Sequence, residues 1–419
     1  MLLAILLVYV VVLGILAVGV VGTVSSAKAQ AVNLEQSLLN GEGDQARSQA
    51  AELSQSLTSL QAKTHGAVWS VASHLPFVGR DVRNVQALTD CAADLSQNAL
   101  VPVVDGVAGM RLSDLVRDRA VDTEMLSSMR QSVVAASPVV VRSASTIAGL
   151  EPGVIGPLNE QLEIMRTPLD DAAHLLGDAD QLFSMVLDML GTGGQTRTYV
   201  LLAQTNADIR AGGGFPGSVG TVQITDGRAE LGEFHSVSEV QGIVRANGFG
   251  ASIGEDELAA FGDVLATDAA GCTLTPNFVR SGQIAKQQWE NAYGFAVDGV
   301  IAMDPVFLQR VFGLIGGITA FDGTEVNGDN AAAELLHNVY MRYGFDEENG
   351  NDLEDAFFND VAHQGSSKLL DIMGDFELDA FAQLWNIIRE SGADHRFQVW
   401  MADETQQAFL HDMSLTGEI

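Results

Sequence analysis

The chain has 419 residues, with 54 acidic and 22 basic side chains and a formal net charge of −32. Its hydrophobic share of 47% is high enough to bury sizeable cores, so general disorder is excluded. The acid excess argues against a large surface for nucleic acid or anionic lipid, because both require clustered Lys and Arg. Two cysteines, Cys91 and Cys272, are too few for a disulfide-dense scaffold, and we expect them to be unpaired.

The charge is shared unevenly along the chain, which predicts a division into domains. Residues 1–190 carry 11 basic and 20 acidic residues, whereas residues 191–419 carry 11 and 34, giving −9 and −23. The run Gly191-Thr192-Gly193-Gly194 lies at this boundary and is typical of a flexible joint. We therefore predict a membrane anchor at residues 1–24, a helical domain at 28–190 and an α/β domain at 195–419.

The first 24 residues contain no charged side chain and are long enough to cross a bilayer as one helix. A cleaved secretory signal is the alternative, since Ala27-Lys28-Ala29 matches a cleavage pattern, but the apolar run exceeds a usual signal core. We expect a retained single-pass anchor in the cell membrane, with the bulk of the chain outside the cytoplasm. The distribution of Lys and Arg does not support this orientation, because Lys28 follows the span and none precedes it.

Apolar residues in the first half recur at helical spacing and predict a bundle of about four to six helices. Another helix is predicted over Leu115 to Val134. A coiled-coil stalk is the alternative, but the first stripe covers only about two heptads, fewer than a coiled coil needs. Three stripes step by three or four residues: Ala46, Ala50, Leu53, Leu57 and Leu60; Val82, Val85, Leu88, Ala92, Leu95 and Ala99; and Leu169, Ala172, Leu176, Ala179, Phe183, Val186 and Leu190.

The second half alternates strand-like and helix-like segments, which predicts a mixed α+β or α/β domain. The predicted strands are Tyr199–Ala203, Ser218–Ile224, Arg228–His235, Val297–Met303 and Arg396–Met401. The predicted helices are Val306–Leu314, Asn330–Arg342, Leu353–Met373, Glu377–Ser391 and one that begins at Glu404. Because the chain stops soon after this last helix, we expect the domain to be incomplete at its C-terminus.

Three stretches carry a family resemblance: TYVLLAQTNADIRAGGGFPGSVGTVQITDGRAELGEF at 198–234, AVDGVIAMDPVFLQRVFGLIGGITAFDGTEV at 296–326, and HLPFVGRDV at 74–82. On these stretches the chain resembles the membrane-anchored family of Gram-positive bacteria that carries domain of unknown function 4012. The resemblance implies an exported protein with an N-terminal anchor, and it supplies no established activity.

The second half is also, more weakly, similar to the LytR–CpsA–Psr family, which transfers glycopolymers from polyprenyl-pyrophosphate carriers to the cell wall. Asp208 and Arg210 occupy the place of that family's loop after its first strand. The similarity implies a phosphotransferase that uses a divalent metal. However, His235-Ser236 stands where that family has an Arg-Asp pair, so one guanidinium of the pyrophosphate clamp is missing.

The loop between the first two predicted strands is the candidate ligand-binding site. A glycine run lets backbone N–H groups approach a ligand closely, and an arginine pairs with phosphate or carboxylate. The alternative is a glycine-rich turn in which Arg210 bridges to a local acid. No P-loop, EF-hand or paired-histidine spacing is present, so we predict no cofactor and no metal ligands. The candidate residues are Asn206, Asp208, Arg210, Gly212, Gly213, Gly214 and Ser218.

These features lead to one main functional hypothesis and two alternatives. The main hypothesis is an anchored envelope protein that binds or helps assemble a surface glycopolymer, with no nucleic-acid partner. The first alternative is a phosphotransferase acting on a polyprenyl-pyrophosphate-linked glycan. The second is a purely structural or interaction protein of the envelope.

Overall fold

A computed structural model describes residues 24–39, 42–107, 112–117, 120–177, 179–248, 250–344, 350–372 and 378–418. The predicted anchor at residues 1–24 lies outside the described residues except for Val24. No helix in the described ranges is both long and apolar enough to cross a membrane. The chain divides into two compact units: residues 1–111 with 123–187, and residues 112–122 with 188–419.

Up to residue 189 the described chain is almost entirely helical. Its helices are α1 (Val24–Leu39), α2 (Gly43–Thr64), α3 (Ala67–Ala72), α4 (Gly79–Leu95), a π-helical turn (Ser96–Leu100), α5 (Val101–Val107), α6 (Thr123–Ala148), α7 (Gly156–Gly177) and α8 (Ala179–Met189). The helical stripes predicted from the sequence form much of the bundle core. Their buried members include Ala46, Ala50, Leu53, Leu57, Leu60, Val85, Leu88, Ala92, Leu95, Ala99, Leu169, Ala172, Leu176 and Ala179.

The predicted helix from Leu115 to Val134 is wrong in its first part. Val116–Arg117 (β1) and Ala120–Val121 (β2) pair with each other, and α6 begins only at Thr123. The Val121 N–H donates to the Gly227 carbonyl at 2.9 Å, so this hairpin extends the edge of the sheet in the second unit. Pairing with a distant strand has overridden the local helical spacing.

The second unit is organised around a mixed sheet, which confirms the predicted combination of strands and helices. Its further strands are β3 (Thr196–Thr205), β4 (Phe215–Thr225), β5 (Arg228–Leu231), β6 (His235–Ser236), β7 (Gly299–Met303) and β10 (Phe397–Met401). The strand order is β1-β2-β5-β4-β3-β7-β10, with β6 also beside β4. Only β3 and β7 run parallel among these described pairs, in a register from Tyr199 opposite Gly299 to Ala203 opposite Met303.

One predicted strand is divided in two. Arg228–His235 was expected to be continuous, but β5 ends at Leu231 and β6 begins at His235. Both segments pair with β4, at different points along it: Val222 lies opposite Leu231, and Val219 lies opposite His235. The chain therefore leaves the sheet briefly and rejoins the same neighbouring strand.

Helices cover both faces of this sheet. They are α9 (Val237–Asn247), α10 (Glu255–Phe261), α11 (Val264–Thr267), α12 (Phe278–Tyr293), α13 (Pro305–Ile315), α14 (Ala331–Ala333), α15 (Val339–Tyr343), α16 (Gly350–Ile372), α17 (Leu378–Ala393) and α18 (Glu404–Asp412). A single helical turn (Leu112–Leu115), a 3-10 helix (Ala269–Leu274), a π-helical turn (Glu334–Asn338) and a small ladder of β8 (Ile318–Thr319) with β9 (Glu325–Val326) complete the described elements. Since neighbouring strand residues point to opposite faces, Val200 packs in one core and Tyr199 in another.

Candidate functional site

The predicted loop lies at one edge of the sheet, directly after β3. Because β3 and β7 are parallel, Thr205 and Met303 end their strands at this same edge, which we call the carboxyl edge. In open α/β sheets, ligands usually bind beyond the carboxyl ends of the strands. The sequence therefore placed its candidate residues in a region where binding sites are common.

The three glycines of the loop are required by close packing. A Cβ on Gly214 would lie 2.5 Å from the Thr205 carbonyl oxygen, and one on Gly213 would lie 2.5 Å from Oε1 of Gln204. Gly213 also has a φ of +114°, a conformation that L side chains rarely adopt. The Gly212 N–H donates to the Thr273 carbonyl at 2.9 Å. Packing of the loop against β3 and the 3-10 helix thus accounts for the glycine run without a ligand.

Arg210 is held by the loop's surroundings. Its side chain is 18% exposed, and Nη1 donates to the Ala270 carbonyl at 2.6 Å. The guanidinium lies over the Phe215 ring, 4.6 Å from the ring centroid. Asp208 is exposed, and its Oδ2 is 3.9 Å from Nη2 of Arg210. These contacts resemble the local bridge that the sequence left open as an alternative to a ligand clamp.

Asn206 and Ser218 lie at opposite ends of the loop and have different environments. The Asn206 amide donates to the Gly213 carbonyl at 3.2 Å, while its Oδ1 is buried without a hydrogen-bond partner. Ser218 is buried on β4 and donates through Oγ to the Asn359 side chain on α16. Ser218 therefore faces the interior between the sheet and α16.

A small, mostly apolar cavity of about 30 Å³ lies at the carboxyl edge. A cavity of this size holds one or two water molecules. Its few polar side chains, Gln204, Thr205 and Ser218, come from the ends of β3 and β4. The other lining residues are Ala203, Gly217, Met303, Pro305, Leu308, Leu335, Phe358, Val361 and Ala362.

Carboxylates gather beside this cavity, on the first turns of α16. Burial raises the pKa of the Asp355 carboxyl, which also hydrogen-bonds the Ser236 side chain, and burial raises the pKa of Glu354. The Tyr340 hydroxyl lies 3.4 Å from Oγ1 of Thr205, and burial raises its pKa as well. In the part of the chain that the structure describes, no group of three or more His, Cys, Asp or Glu residues could hold a metal ion.

A larger, open groove of about 420 Å³ lies on the other side of the glycine-rich loop. It shares Phe215 and Ala270, the two residues that hold Arg210, and it runs along α9 from Val237 to Arg245. We call it the α9 groove. Its lining residues are Phe215, Val237, Ser238, Gln241, Gly242, Arg245, Asp268 and Ala270.

The polar side chains of the α9 groove are held by hydrogen bonds and an ion pair with nearby residues. Nη2 of Arg245 donates to Oδ2 of Asp268 at 2.9 Å, and the Arg245 side chain is 65% exposed. Gln241 donates to the Thr267 carbonyl at 3.1 Å and accepts from the Ala269 N–H. The groove therefore presents one aromatic ring, one exposed guanidinium, the Gln241 amide and the Asp268 carboxylate.

This groove was not predicted from the sequence, because α9 was not predicted. A signal was present: Val237, Val240 and Val244 are spaced at three and four residues and are buried, and Ser236 caps the helix by accepting from the Glu239 N–H at 3.3 Å. His235, which replaces an arginine of the weaker family resemblance, lies beside Glu239 at 3.3 Å.

Both cysteines are buried and unpaired, as predicted. Burial raises the pKa of the Cys91 thiol to about 11 and that of the Cys272 thiol to about 12. Neither side chain has the exposed, electropositive surroundings of a reactive cysteine.

A known protein family matches part of the second unit. Residues 194–340 match the family described as "Protein of unknown function (DUF4012)", which confirms the resemblance predicted from the stretches at 198–234 and 296–326. The matched segment covers about a third of the chain and contains the glycine-rich loop and the α9 groove. No curated protein and no solved structure matches the chain.

Proposed function

Because residues 194–340 match the DUF4012 family, we propose a function for the surfaces that this segment contains. The protein is an envelope protein, anchored in the cell membrane by residues 1–24 with its bulk outside the cytoplasm. Its second unit binds a surface glycopolymer in the α9 groove. The role is binding or assembly of the polymer, without catalysis by the groove itself.

The observation that carries this proposal is the composition and shape of the α9 groove. Ligand sites combine apolar or aromatic surface with a few well-placed polar groups. Phe215, with the Arg210 guanidinium over its ring, supplies the part-buried aromatic surface in the wall of the groove, while Arg245 and Asp268 supply donors and acceptors for hydroxyl groups. The groove is open to solvent, which suits a segment of a polymer.

The negative charge of the chain indicates whether the bound glycopolymer is charged or neutral. The second half carries a net charge of −23, and residues such as Asp268 line the groove itself. A polyanionic polymer would meet repulsion there, which only Arg245 and Arg210 oppose within the loop and groove. The preferred ligand is therefore an uncharged glycan.

A phosphotransferase acting on a polyprenyl-pyrophosphate-linked glycan is the second candidate, favoured by the apolar cavity at the carboxyl edge. Two observations weigh against it. The cavity of about 30 Å³ is far smaller than a polyprenyl chain, and Arg210 would have to break its bond to Ala270 to clamp a pyrophosphate. In addition, no cluster of three or more His, Cys, Asp or Glu residues in the described ranges fits the divalent metal that this reaction requires.

The test compares two arginines of equal exposure in the full-length chain. Arg245 is 65% exposed and pairs with Asp268, whereas Arg142 in the first unit is 64% exposed and pairs with Asp94. Arg245→Ala should weaken binding of a neutral oligosaccharide about 10-fold or more, the usual effect of losing a hydrogen bond from a charged group. Arg142→Ala should leave binding unchanged. If both variants bound the oligosaccharide as tightly as the wild type, the α9 groove would not be the site. If the wild type did not bind it at all, the proposed function would be wrong.

The proposed orientation has its own test. In intact protoplasts that express the full chain, an external protease should degrade residues 28–419, and the mature N-terminus should still precede residue 24. Protection from the protease would contradict the orientation. An N-terminus near Gln30 would show that the first segment is a cleaved signal.

A further inference from the structure

One end of the first unit carries a cluster of exposed apolar side chains, formed by Val68, Val71, Leu75, Phe77 and Val78, which we call the apolar tip. Phe77 is 85% exposed and Val68 is 81% exposed. Contiguous exposed apolar patches are uncommon on soluble monomers and mark interaction surfaces. Their occurrence within eleven consecutive residues sets this segment apart from the rest of the described bundle.

The backbone holds these side chains outward. Phe77 has a φ of +72°, a left-handed conformation that costs a bulky L residue roughly 1–2 kcal/mol. The turn is closed by the Val78 N–H on the Pro76 carbonyl and the Gly79 N–H on the Leu75 carbonyl, both at 3.0 Å. Trp69, on α3, packs instead against the bundle core. The segment is thus fixed from the inside while its other apolar side chains face solvent.

The apolar tip lies at the end of the bundle where the predicted anchor joins. Helices α1 and α2 follow each other after a short connection, closed by the Glu42 N–H on the Ser37 carbonyl at 2.9 Å, and they pack along their length as an antiparallel pair. At ~1.5 Å per residue, α2 extends roughly 9 Å further from this turn than α1 does. Val24 and the segment after Thr64 are therefore at the same end of the pair.

The charge near the apolar tip differs from that of the chain as a whole. Between Glu52 and Asp81 there is no carboxylate, although acidic residues outnumber basic ones by more than two to one overall. Asp81 itself is buried and accepts from the N–H groups of Val154 and Ile155 at 2.9 and 3.0 Å. Lys63, at the end of α2, is exposed, and Arg80 beside the tip pairs with the exposed Glu151 at 3.3 Å, so a lipid headgroup layer meets little net repulsion here.

We propose that the apolar tip docks into the interfacial layer of the membrane that holds residues 1–24. This inference rests on the anchor in the proposed function, and it is independent of the glycan site. The anchor brings the tip to the bilayer, where Phe77, Leu75 and the valines leave water. The tip adds a second, shallow contact that fixes the tilt of the bundle on the membrane.

The test uses the full chain in vesicles of phosphatidylcholine with a minor share of phosphatidylglycerol. Phe77→Cys and, in a separate protein, Glu42→Cys are labelled with an environment-sensitive fluorophore. The native cysteines are buried and stay unlabelled. The matched control is Glu42, an exposed residue at the other end of α2. Since α2 has 22 residues, Glu42 lies about 33 Å from the end of α2 that leads into the apolar tip. A label at Val71→Cys, on α3, guards against a local change at the Phe77 turn.

If the tip docks, the fluorescence emission of labels at residues 77 and 71 should be blue-shifted. Lipids that carry a quencher near the top of the acyl chain should quench these two labels strongly and the label at residue 42 not at all. If the protein floats with the vesicles but the labels at 77 and 71 stay unquenched, the tip does not dock, although the anchor holds. If the protein does not float, the anchor and the docking both fail. If the labels are not quenched and two copies of the unlabelled Phe77→Cys variant form a disulfide crosslink, a second copy of the chain covers the tip and membrane docking is wrong.

Discussion

At the scale of single residues, the role of Arg210 differs most between the sequence-based prediction and the structure. Its type and its glycine-rich surroundings suggested an anion clamp, but the guanidinium donates to the Ala270 carbonyl and lies over Phe215. These two contacts join the loop to the 3-10 helix. The residue therefore supports the wall shared with the α9 groove, and its contribution should be measurable as stability.

We expect Arg210→Ala to lower the free energy of unfolding by about 1–3 kcal/mol, the usual worth of a hydrogen bond from a charged group. Arg210→Lys should lose less, since a donor remains while the planar stack on Phe215 is lost. Urea denaturation measures both. Arg245→Ala serves as the control and should change stability by less than about 1 kcal/mol, because its ion pair is at the surface. If Arg210→Ala left the free energy of unfolding unchanged but abolished ligand binding, Arg210 would be a ligand clamp after all.

The two thiols should be inert in the folded chain. Burial raises the pKa of Cys91 to about 11 and that of Cys272 to about 12, so both are protonated at mildly alkaline pH. A thiol-reactive dye should label neither cysteine in the native protein and both after denaturation in urea. Rapid labelling of either one under native conditions would contradict the described burial.

At the scale of elements, Asp304 connects three parts of the second unit. It follows β7, caps α13 by accepting from the N–H groups of Val306 and Phe307 at 3.0 and 2.9 Å, and pairs with Arg396 at 2.8 Å next to β10. An Asp followed by Pro is a typical helix start, so this cap depends only on the local sequence. The local sequence could not predict the ion pair, because Arg396 is distant along the chain.

Asp304→Ala should destabilise the protein by about 2–4 kcal/mol, from the lost cap and from Arg396 left without its partner. Asp403→Ala is the matched control: Asp403 caps α18 in the same way, accepting at 2.9 Å from two backbone N–H groups, but is exposed. It should cost about 1 kcal/mol. Equal losses in urea denaturation would mean that the Arg396 pair contributes nothing.

Sequence patterns predicted the elements whose signals are local. The predicted Tyr199–Ala203 lies inside β3, and the predicted Val306–Leu314 lies inside α13. The β1–β2 hairpin was missed because its edge position depends on Arg228, more than a hundred residues away. The loop between β3 and β4 was predicted from the sequence. The α9 groove was not, because the local signal of α9 was overlooked and because Asp268 and Ala270, the other wall of the groove, are distant from α9 along the chain.

At the scale of the whole molecule, the uneven charge gives the second half a net −23. A neutral glycan should bind the full chain with little dependence on salt, because its recognition uses short-range contacts in the α9 groove. A polyanionic glycopolymer should bind weakly at low salt and better as salt rises, since screening shortens the reach of repulsion to ~8 Å at physiological ionic strength. Titrations at several salt concentrations measure both. Tight, salt-sensitive binding of the polyanion would contradict the proposed choice of ligand.

Hydrogen–deuterium exchange of the full chain, with and without a neutral oligosaccharide, tests the central claim most directly. Occupation of the α9 groove should slow exchange in peptides covering residues 206–218 and 237–247, the loop and the helix that form its walls. Peptides from the first unit serve as the internal reference and should be unchanged. Binding without protection of these two segments, or protection confined to other parts of the chain, would contradict the claim that this groove is the glycan site.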